Sequence, residues 1–188
     1  MDKAQLRKDL RRILARMPEE IRREKSRQIC GHLLSADEYK KASVVMAYLS
    51  IKGEVDTTPI LLDAWQRGKT VVVPKVLWEQ RRMIPVEIRS LETGLGVDKI
   101  GLRNPTTGEP VPYEDIDLVI TPGLGFDRQG NRLGRGGAYY DRFFASPGLR
   151  AAKWAAAFSE QIVDAIPHDE KDMPVDALIC ETGFVRCK

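Results

Sequence analysis

The sequence predicts an α/β layered fold on a mostly parallel sheet, and three observations carry that expectation. Short apolar runs that read as buried strands alternate with helix-length amphipathic stretches. One alternation, Val44-Val-Met-Ala-Tyr-Leu49, then Thr57–Arg67, then Thr70-Val-Val-Val73, has the spacing of a βαβ unit, which implies a right-handed crossover and a parallel pair. A third apolar run, Asp117-Leu-Val-Ile120, leads into a glycine-rich segment, where open α/β sheets present ligand loops. A length of 188 residues suits one domain over 1–188.

Residues 2–17 put Leu6, Leu10, Ile13, Leu14 and Met17 on one helical face. Pro18 opens a second helix, with Glu19 and Glu20 favourable to the dipole in its first turn. Residues 1–27 hold ten basic and five acidic side chains, expected mostly as solvated helix faces. The strand 44–49 is followed by a helix near 57–67, with Thr57 as N-cap, Pro59 in the first turn and Gly68 as the stop. Pro74 closes the strand 70–73. The stretch 75–116 is less regular, with a strand at 83–88 and a loop-rich excursion through Asn104, Pro105, Pro110 and Pro112. A helix near 138–145 and strands near 154–158 and 177–180 complete the chain.

The net charge of +3 is too mild to argue for nucleic acid as the main partner, while it suits anionic small ligands. No apolar run approaches the ~18–20 residues of a membrane span, and the first helix is too charged for a secretory signal. Cys30, Cys180 and Cys187 make an odd count without a C-x-x-C, and His32 and His168 are the two histidines. Neither zinc nor a disulfide framework is expected, and a reducing cytoplasm fits best.

The chemistry is expected in Thr121-Pro-Gly-Leu-Gly-Phe-Asp-Arg-Gln-Gly-Asn-Arg-Leu-Gly-Arg-Gly-Gly-Ala-Tyr-Tyr-Asp-Arg142. The segment leaves a strand, passes six glycines and enters a helix. Glycine permits positive φ and close backbone approach, a helix N-terminus offers unpaired N–H groups, and Arg132 and Arg135 add positive charge. Together these features make a phosphate cradle. It is neither common phosphate loop. Gly68-Lys69-Thr70 looks like the tail of G-x-x-x-x-G-K-[ST], but position 63 is Asp and the fragment enters a strand. G-x-G-x-x-G fails because Tyr139 stands where Gly134 and Gly136 require a third glycine. His168 reads as a surface loop residue, Tyr39, Tyr48, Tyr113, Trp65 and Trp154 as packing, and Trp78 alone has a setting open to a ligand cleft.

Gly123-x-x-Phe126-Asp127-x-x-Gly130-x-Arg132-Leu133-Gly134-x-Gly136-x-x-Tyr139-Tyr140-Asp141-Arg142 strongly resembles the signature of the 5-formyltetrahydrofolate cyclo-ligase family. Lys3-x-x-Leu6-Arg7, Gly53-Glu54-Val-Asp56-Thr57 and Asp172-Met-Pro-Val-Asp176 extend the resemblance over almost the whole chain. The resemblance implies a three-layer α/β fold related to ribose-phosphate isomerases and CoA transferases. It also implies that ATP and Mg²⁺ drive conversion of 5-formyltetrahydrofolate to 5,10-methenyltetrahydrofolate, with release of ADP and phosphate. In the reaction so implied, the formyl oxygen would take the γ-phosphoryl group, and N10 would close the ring and expel phosphate.

Carried onto this chain, the resemblance implies ATP contacts at Lys3, Ala4, Gln5, Leu6 and Arg7 and at Arg132, Leu133, Gly134, Arg135, Gly136, Gly137, Ala138, Tyr139 and Tyr140. It implies substrate contacts at Leu49, Glu54 and the stretch Gly136, Gly137, Ala138 and Tyr139, with Arg132, Arg135 and Tyr139 as catalytic residues. Glu54 would accept N–H bonds from the pterin. Asp141 and Asp172 would serve Mg²⁺, a hard cation suited to carboxylate oxygen. A monomer without nucleic-acid or membrane partners is expected. Two departures from the pattern stand out. Ala138 replaces a glycine, and its Cβ disfavours positive φ, so the helix is expected to start one residue earlier. Gly101-Leu-Arg-Asn104-Pro105 stands where many relatives read Gly-Ile-x-Glu-Pro. Two other functions are weighed on the residues: a phosphosugar or CoA-ester enzyme on a related fold, needing no ATP turnover, and a nucleic-acid module on the basic helices, with steeply salt-dependent affinity.

Overall fold

The structure, a computed structural model, describes residues 2–98 and 101–187. Three helices come first: α1 (Lys3–Arg16), α2 (Glu19–Ser35) and α3 (Asp37–Lys41). Then follow β1 (Val44–Ala47), α4 (Thr58–Gln66), β2 (Thr70–Leu77), β3 (Arg82–Glu87), β4 (Leu95–Val97) and β5 (Arg103–Pro105). The second half holds β6 (Leu118–Thr121), β7 (Gly125–Phe126), β8 (Arg132–Leu133), α5 (Tyr139–Phe144), β9 (Ala152–Ala156), β10 (Ala177–Cys180) and β11 (Gly183–Arg186). Among the described residues no helix is long and apolar enough to cross a membrane.

Seven strands form one sheet in the order β11-β10-β9-β6-β1-β2-β3. The five inner strands pair in parallel, while β3 and β11 join as antiparallel edges. Alternation along the strands decides the layers. Val45, Ala47, Val71, Val73, Leu118, Ile120 and Ile179 pack with Ile29, Leu33, Tyr39, Ile60 and Leu61 of α2–α4. The intervening Met46, Val72, Val119, Ala155 and Leu178 pack on the other face with Phe126, Phe143 and Phe144. The expected layered fold is thus observed, with three layers. A smaller cluster of Leu6, Leu10, Leu133 and Ile166 holds α1 to the glycine-rich segment.

Several boundaries differ from the sequence expectation. Asp2 caps α1 by accepting from Gln5 N at 2.7 Å, and Leu6, Leu10 and Leu14 are buried, but Ile13 is 43% exposed. The buried stripe of α1 follows i, i+4 spacing and is narrower than the expected face. Thr57 precedes α4 without a side-chain cap, because its hydroxyl donates to Tyr48 O at 2.5 Å. Pro74 does not close β2, which runs on to Leu77 opposite β3. Ile88 N donates to Val71 O, so Val71 and Ile88 form a bonded pair, and alternation makes Pro74↔Pro85 a non-bonded one. Neither proline's missing N–H therefore breaks that ladder. β1 stops at Ala47, which leaves Tyr48 and Leu49 beyond the sheet edge. The short α3 and β11 and the two-stranded pairs β4–β5 and β7–β8 were not expected.

Candidate active site

After β1 the chain moves to β2 on one side of the sheet, and β6 later joins on the other side. The carboxyl ends of β1 and β6 thus flank a topological switch point, where open α/β sheets leave a crevice. A cleft of about 330 Å³ lies there, with Tyr48, Leu49 and Glu54 from beyond β1, Pro74, Val76 and Trp78 from the β2 side, and Pro122 and Gly123 after β6. The segment from Arg132 to Asp141 closes it.

Two buried side chains that sequence reasoning left without a role shape that segment. Asp127, 1% exposed, accepts from Gln129 N, Asn131 N, Asn131 Nδ2 and Ile166 N at 2.9–3.0 Å. Gln161 donates through Nε2 to Gly123 O at 2.7 Å and accepts from Phe158 N at 2.8 Å. The motif contains Asp127 in Phe126-Asp127, so its signal was visible; nothing local marks Gln161. Gly130 needs its missing side chain, since at φ +90° a Cβ would meet Val175 O at 2.3 Å.

From Arg135 to Ala138 the loop is exposed. Among the described residues the N–H groups of Arg135, Gly136, Gly137 and Ala138 donate to no protein acceptor. Free donors of this kind in a glycine-rich turn are the chemistry of an anion nest. The following helix adds less than expected, because α5 has only six residues and so a small dipole. It also starts at Tyr139 and not earlier. Ala138 takes the left-handed conformation, φ +51° and ψ +28°, against the expectation from its Cβ. Such a conformation costs a non-glycine residue about 1–2 kcal/mol. Ala138→Gly is therefore expected to raise stability by a net ~0.5–1 kcal/mol after glycine's extra chain entropy, or roughly 1–4 °C in Tm. A thermal melt checks this, and a lowered Tm would contradict it.

Four of the charged groups on the cleft meet in two pairs. Arg132, expected as an open phosphate clamp, has a side chain only 4% exposed; Nη2 donates to Asp141 Oδ1 at 2.8 Å and the guanidinium lies over the Tyr140 ring at 5.4 Å. Met173 N also donates to Asp141 Oδ1, at 3.3 Å. Arg135 reaches Glu54 Oε1 at 3.0 Å, so the proposed clamp and the proposed pterin acceptor meet each other. Ile51 N donates to Glu54 Oε2 at 3.1 Å. Burial pushes the Glu54 carboxyl above the ordinary carboxylate range, and the Arg135 guanidinium opposes that only in part. Tyr140, whose hydroxyl is buried without a partner among the described residues, is pushed up by burial and by Glu54.

The structure brings the first helix to the same place. Arg7 Nε donates to Gly134 O at 2.9 Å, and Lys3 Nζ donates to Asp172 Oδ2 at 2.5 Å and Asp169 Oδ2 at 3.3 Å. Leu6 is buried beneath this contact, while Ala4 and Gln5 face outward. Leu133 is buried and Leu49 lines the cleft. Trp78 stands edge-on to Tyr139 with centroids 5.6 Å apart, so it lines the cleft wall, whereas Trp154 is core and His168 is exposed. Both aspartates expected to serve a metal are tied to cations, Asp141 to Arg132 and Asp172 to Lys3. Among the described residues no three His, Cys, Asp or Glu side chains gather as a cage. A Mg²⁺ that brings most of its oxygens with a nucleotide and water would need few protein ligands; the two carboxylates on the cleft wall are Asp141 and Glu54, each already paired with an arginine.

A switch-point cleft with apolar walls, a nest of free N–H groups and basic residues converging from α1 define an α/β enzyme of the ligand-binding crevice class. The model of the 5-formyltetrahydrofolate cyclo-ligase family matches residues 1–181. The 5-formyltetrahydrofolate cyclo-ligase of Mus musculus is 32% identical over 94% of this chain and 92% of its own length. The solution structure of Aquifex aeolicus 5,10-methenyltetrahydrofolate synthetase superposes with a TM-score of 0.87 at 36% identity, covering 100% of this chain and 94% of that one. The solved structure of a 5,10-methenyltetrahydrofolate synthetase from Mycoplasma pneumoniae, at 22% identity and a TM-score of 0.77 over 96% of this chain and 99% of that one, shares the fold. The chain belongs to the 5-formyltetrahydrofolate cyclo-ligase family, a family of ligases.

Proposed function

We propose that this cleft carries out the reaction in the family's name, the ATP-dependent closure of 5-formyltetrahydrofolate to 5,10-methenyltetrahydrofolate. The observation that carries the reading is the run of four free N–H groups, Arg135 to Ala138, at the edge of an apolar cleft that ends in a buried carboxylate. An apolar slot with one acidic end suits a flat ring bearing N–H donors, and the nest suits phosphate.

In this reading Leu49 packs on the pterin and Glu54 accepts its N–H groups. The N–H nest, Arg7, Lys3 and Arg135 hold the nucleotide phosphates in line with the formyl oxygen. That oxygen forms the new bond to the γ-phosphorus as the bond to ADP breaks, and the N5 lone pair makes the iminium. N10 then bonds the same carbon, phosphate leaves with the former formyl oxygen, and the N10 proton is lost. Arg132 acts by holding Asp141 and the Tyr140 ring in the cleft wall. Asp141 would carry a phosphate-bound Mg²⁺, which supplies charge neutralisation when bound; Asp172 instead sets the position of Lys3. Tyr139 shields the reacting groups with Trp78. A cytoplasmic monomer completes the proposal; for the compartment, the support is that Cys30, Cys180 and Cys187 are free thiols, with burial pushing Cys30 up to about 12. The test follows methenyltetrahydrofolate absorbance, omitting ATP and Mg²⁺ in turn. Product is expected only with both present, and equal turnover without ATP would overturn the reading.

A further inference from the structure

Five charged residues line the cleft, and four of them are neutralised in pairs: Arg132 with Asp141, and Arg135 with Glu54. Arg103 is the fifth. It is half-buried, and among the described residues its side chain has no ion-pair partner. A half-exposed guanidinium without a protein partner keeps its N–H donors available to an anionic ligand. The wall itself is built to hold it there. The neighbouring Asn104 uses both ends of its amide on β2, accepting from Val76 N at 2.8 Å and donating to Val76 O at 3.0 Å. That clamp fixes β5 on the edge of β2, next to Val76 and Trp78 of the same wall.

We infer that Arg103 is a specificity-determining residue that binds a carboxylate on the tail of the cleft's aromatic substrate. The inference rests on the folate reading above. In that reading the pterin lies at the Glu54 end, and the benzoyl ring runs out past Trp78 and Tyr139. The glutamate carboxylates then emerge at the wall that carries Arg103. A nucleotide phosphate is the competing anion, and topology argues against it. Lys3 and Arg7 come from α1, whose Leu10 packs near Gly125 and Ile166 beyond β6, whereas Arg103 sits at the β2–β3 end of the sheet. A guanidinium can bind a carboxylate through two N–H donors, so the site also favours a planar carboxylate over a neutral amide.

The test measures equilibrium binding, without ATP, of 5-formyltetrahydrofolate and of its diamide, in which both glutamate carboxylates are amides. Arg103→Gln is expected to weaken binding of the acid about tenfold. The diamide should bind wild type about as weakly as the acid binds the variant, and the substitution should cost the diamide nothing further. Arg103→Lys should recover part of the loss. In turnover the change should fall on KM for the folate and not on KM for ATP. Equal weakening of acid and diamide, no weakening at all, or a shift confined to KM for ATP would overturn the inference. A wild-type chain that cyclises 5-formyltetrahydrofolate while Arg103→Gln binds it normally sinks this inference alone. A wild type that neither binds nor cyclises it sinks the functional reading as well.

Discussion

Asp141→Ala is expected to destabilise the fold by about 3–5 kcal/mol and to remove nearly all turnover. The stability loss follows from burial. The Arg132 side chain is 4% exposed, its Nη2 donates to Asp141 at 2.8 Å, and its Nε has no partner among the described residues. Removing the carboxylate leaves a buried charge uncompensated, the expensive case. At about 2–4 °C per kcal/mol for a chain of this size, the fall in Tm is large enough for an ordinary thermal melt. Lost activity in that variant alone could reflect unfolding, so a second variant separates fold from function. Arg132→Met with Asp141→Leu removes both charges and should regain much of the stability while staying inactive. A double variant as unstable as Asp141→Ala would show that the pair does not act as an ion pair. A stable and fully active one would remove Asp141 from the reaction.

Glu54→Gln is expected to weaken folate binding roughly tenfold or more while leaving ATP binding in the absence of folate nearly unchanged. Glu54 is close to fully committed before any ligand arrives. Oε1 accepts from Arg135 Nε and Nη2, and Oε2 from Ile51 N, so three of about four acceptor positions are filled. A pterin that presents two N–H groups must displace at least one of these three donors, and in the proposed reading it is the exposed Arg135 side chain that yields and turns to the phosphates. Loss of the Glu54 charge should therefore also reduce any mutual strengthening between folate and ATP. The pH dependence has a definite sign. Because burial raises the Glu54 pKa above its unfolded value, its protonated form is favoured in the fold, and its contribution to stability is lost as pH rises through the raised value. Binding runs the other way, since the acceptor is the ionised form. Folate affinity should fall on acidification through a window above the ordinary carboxylate range, and Glu54→Gln should flatten that part of the profile. Calorimetric titration of each ligand at several pH values checks this. Unchanged folate affinity in the Gln variant would return Glu54 to a structural role.

The parts of this molecule legible in the sequence are those with a local cause. The apolar runs 44–49 and 70–73 on either side of a helix-length stretch marked the parallel pair, and clustered glycines marked the loop between β6 and α5. What stayed hidden was settled by tertiary contacts. Pro74 looked like a strand end because its ladder position, opposite Pro85, exists only once β3 folds back. Arg132 and Asp141 were read as separate ligands of phosphate and metal, since nothing in their spacing shows that they face each other across the turn. Arg135 and Glu54 lie 81 positions apart and meet only in the fold. Ala138 differs for another reason: its conformational preference is real, yet the chain enters α5 through this left-handed residue, with Arg142 Nη2 donating to Gly137 O at 2.7 Å across the turn. Arg103 sits in a stretch with no periodic signal, and only its place on the cleft wall gives it a role.

The central claim is that ATP activates the formyl oxygen itself. It is tested most directly by supplying 5-formyltetrahydrofolate labelled with ¹⁸O in the formyl group and analysing the released phosphate by mass spectrometry. The mechanism predicts one labelled oxygen in the phosphate for every methenyltetrahydrofolate formed. Unlabelled phosphate, with the ¹⁸O recovered in water, would contradict it.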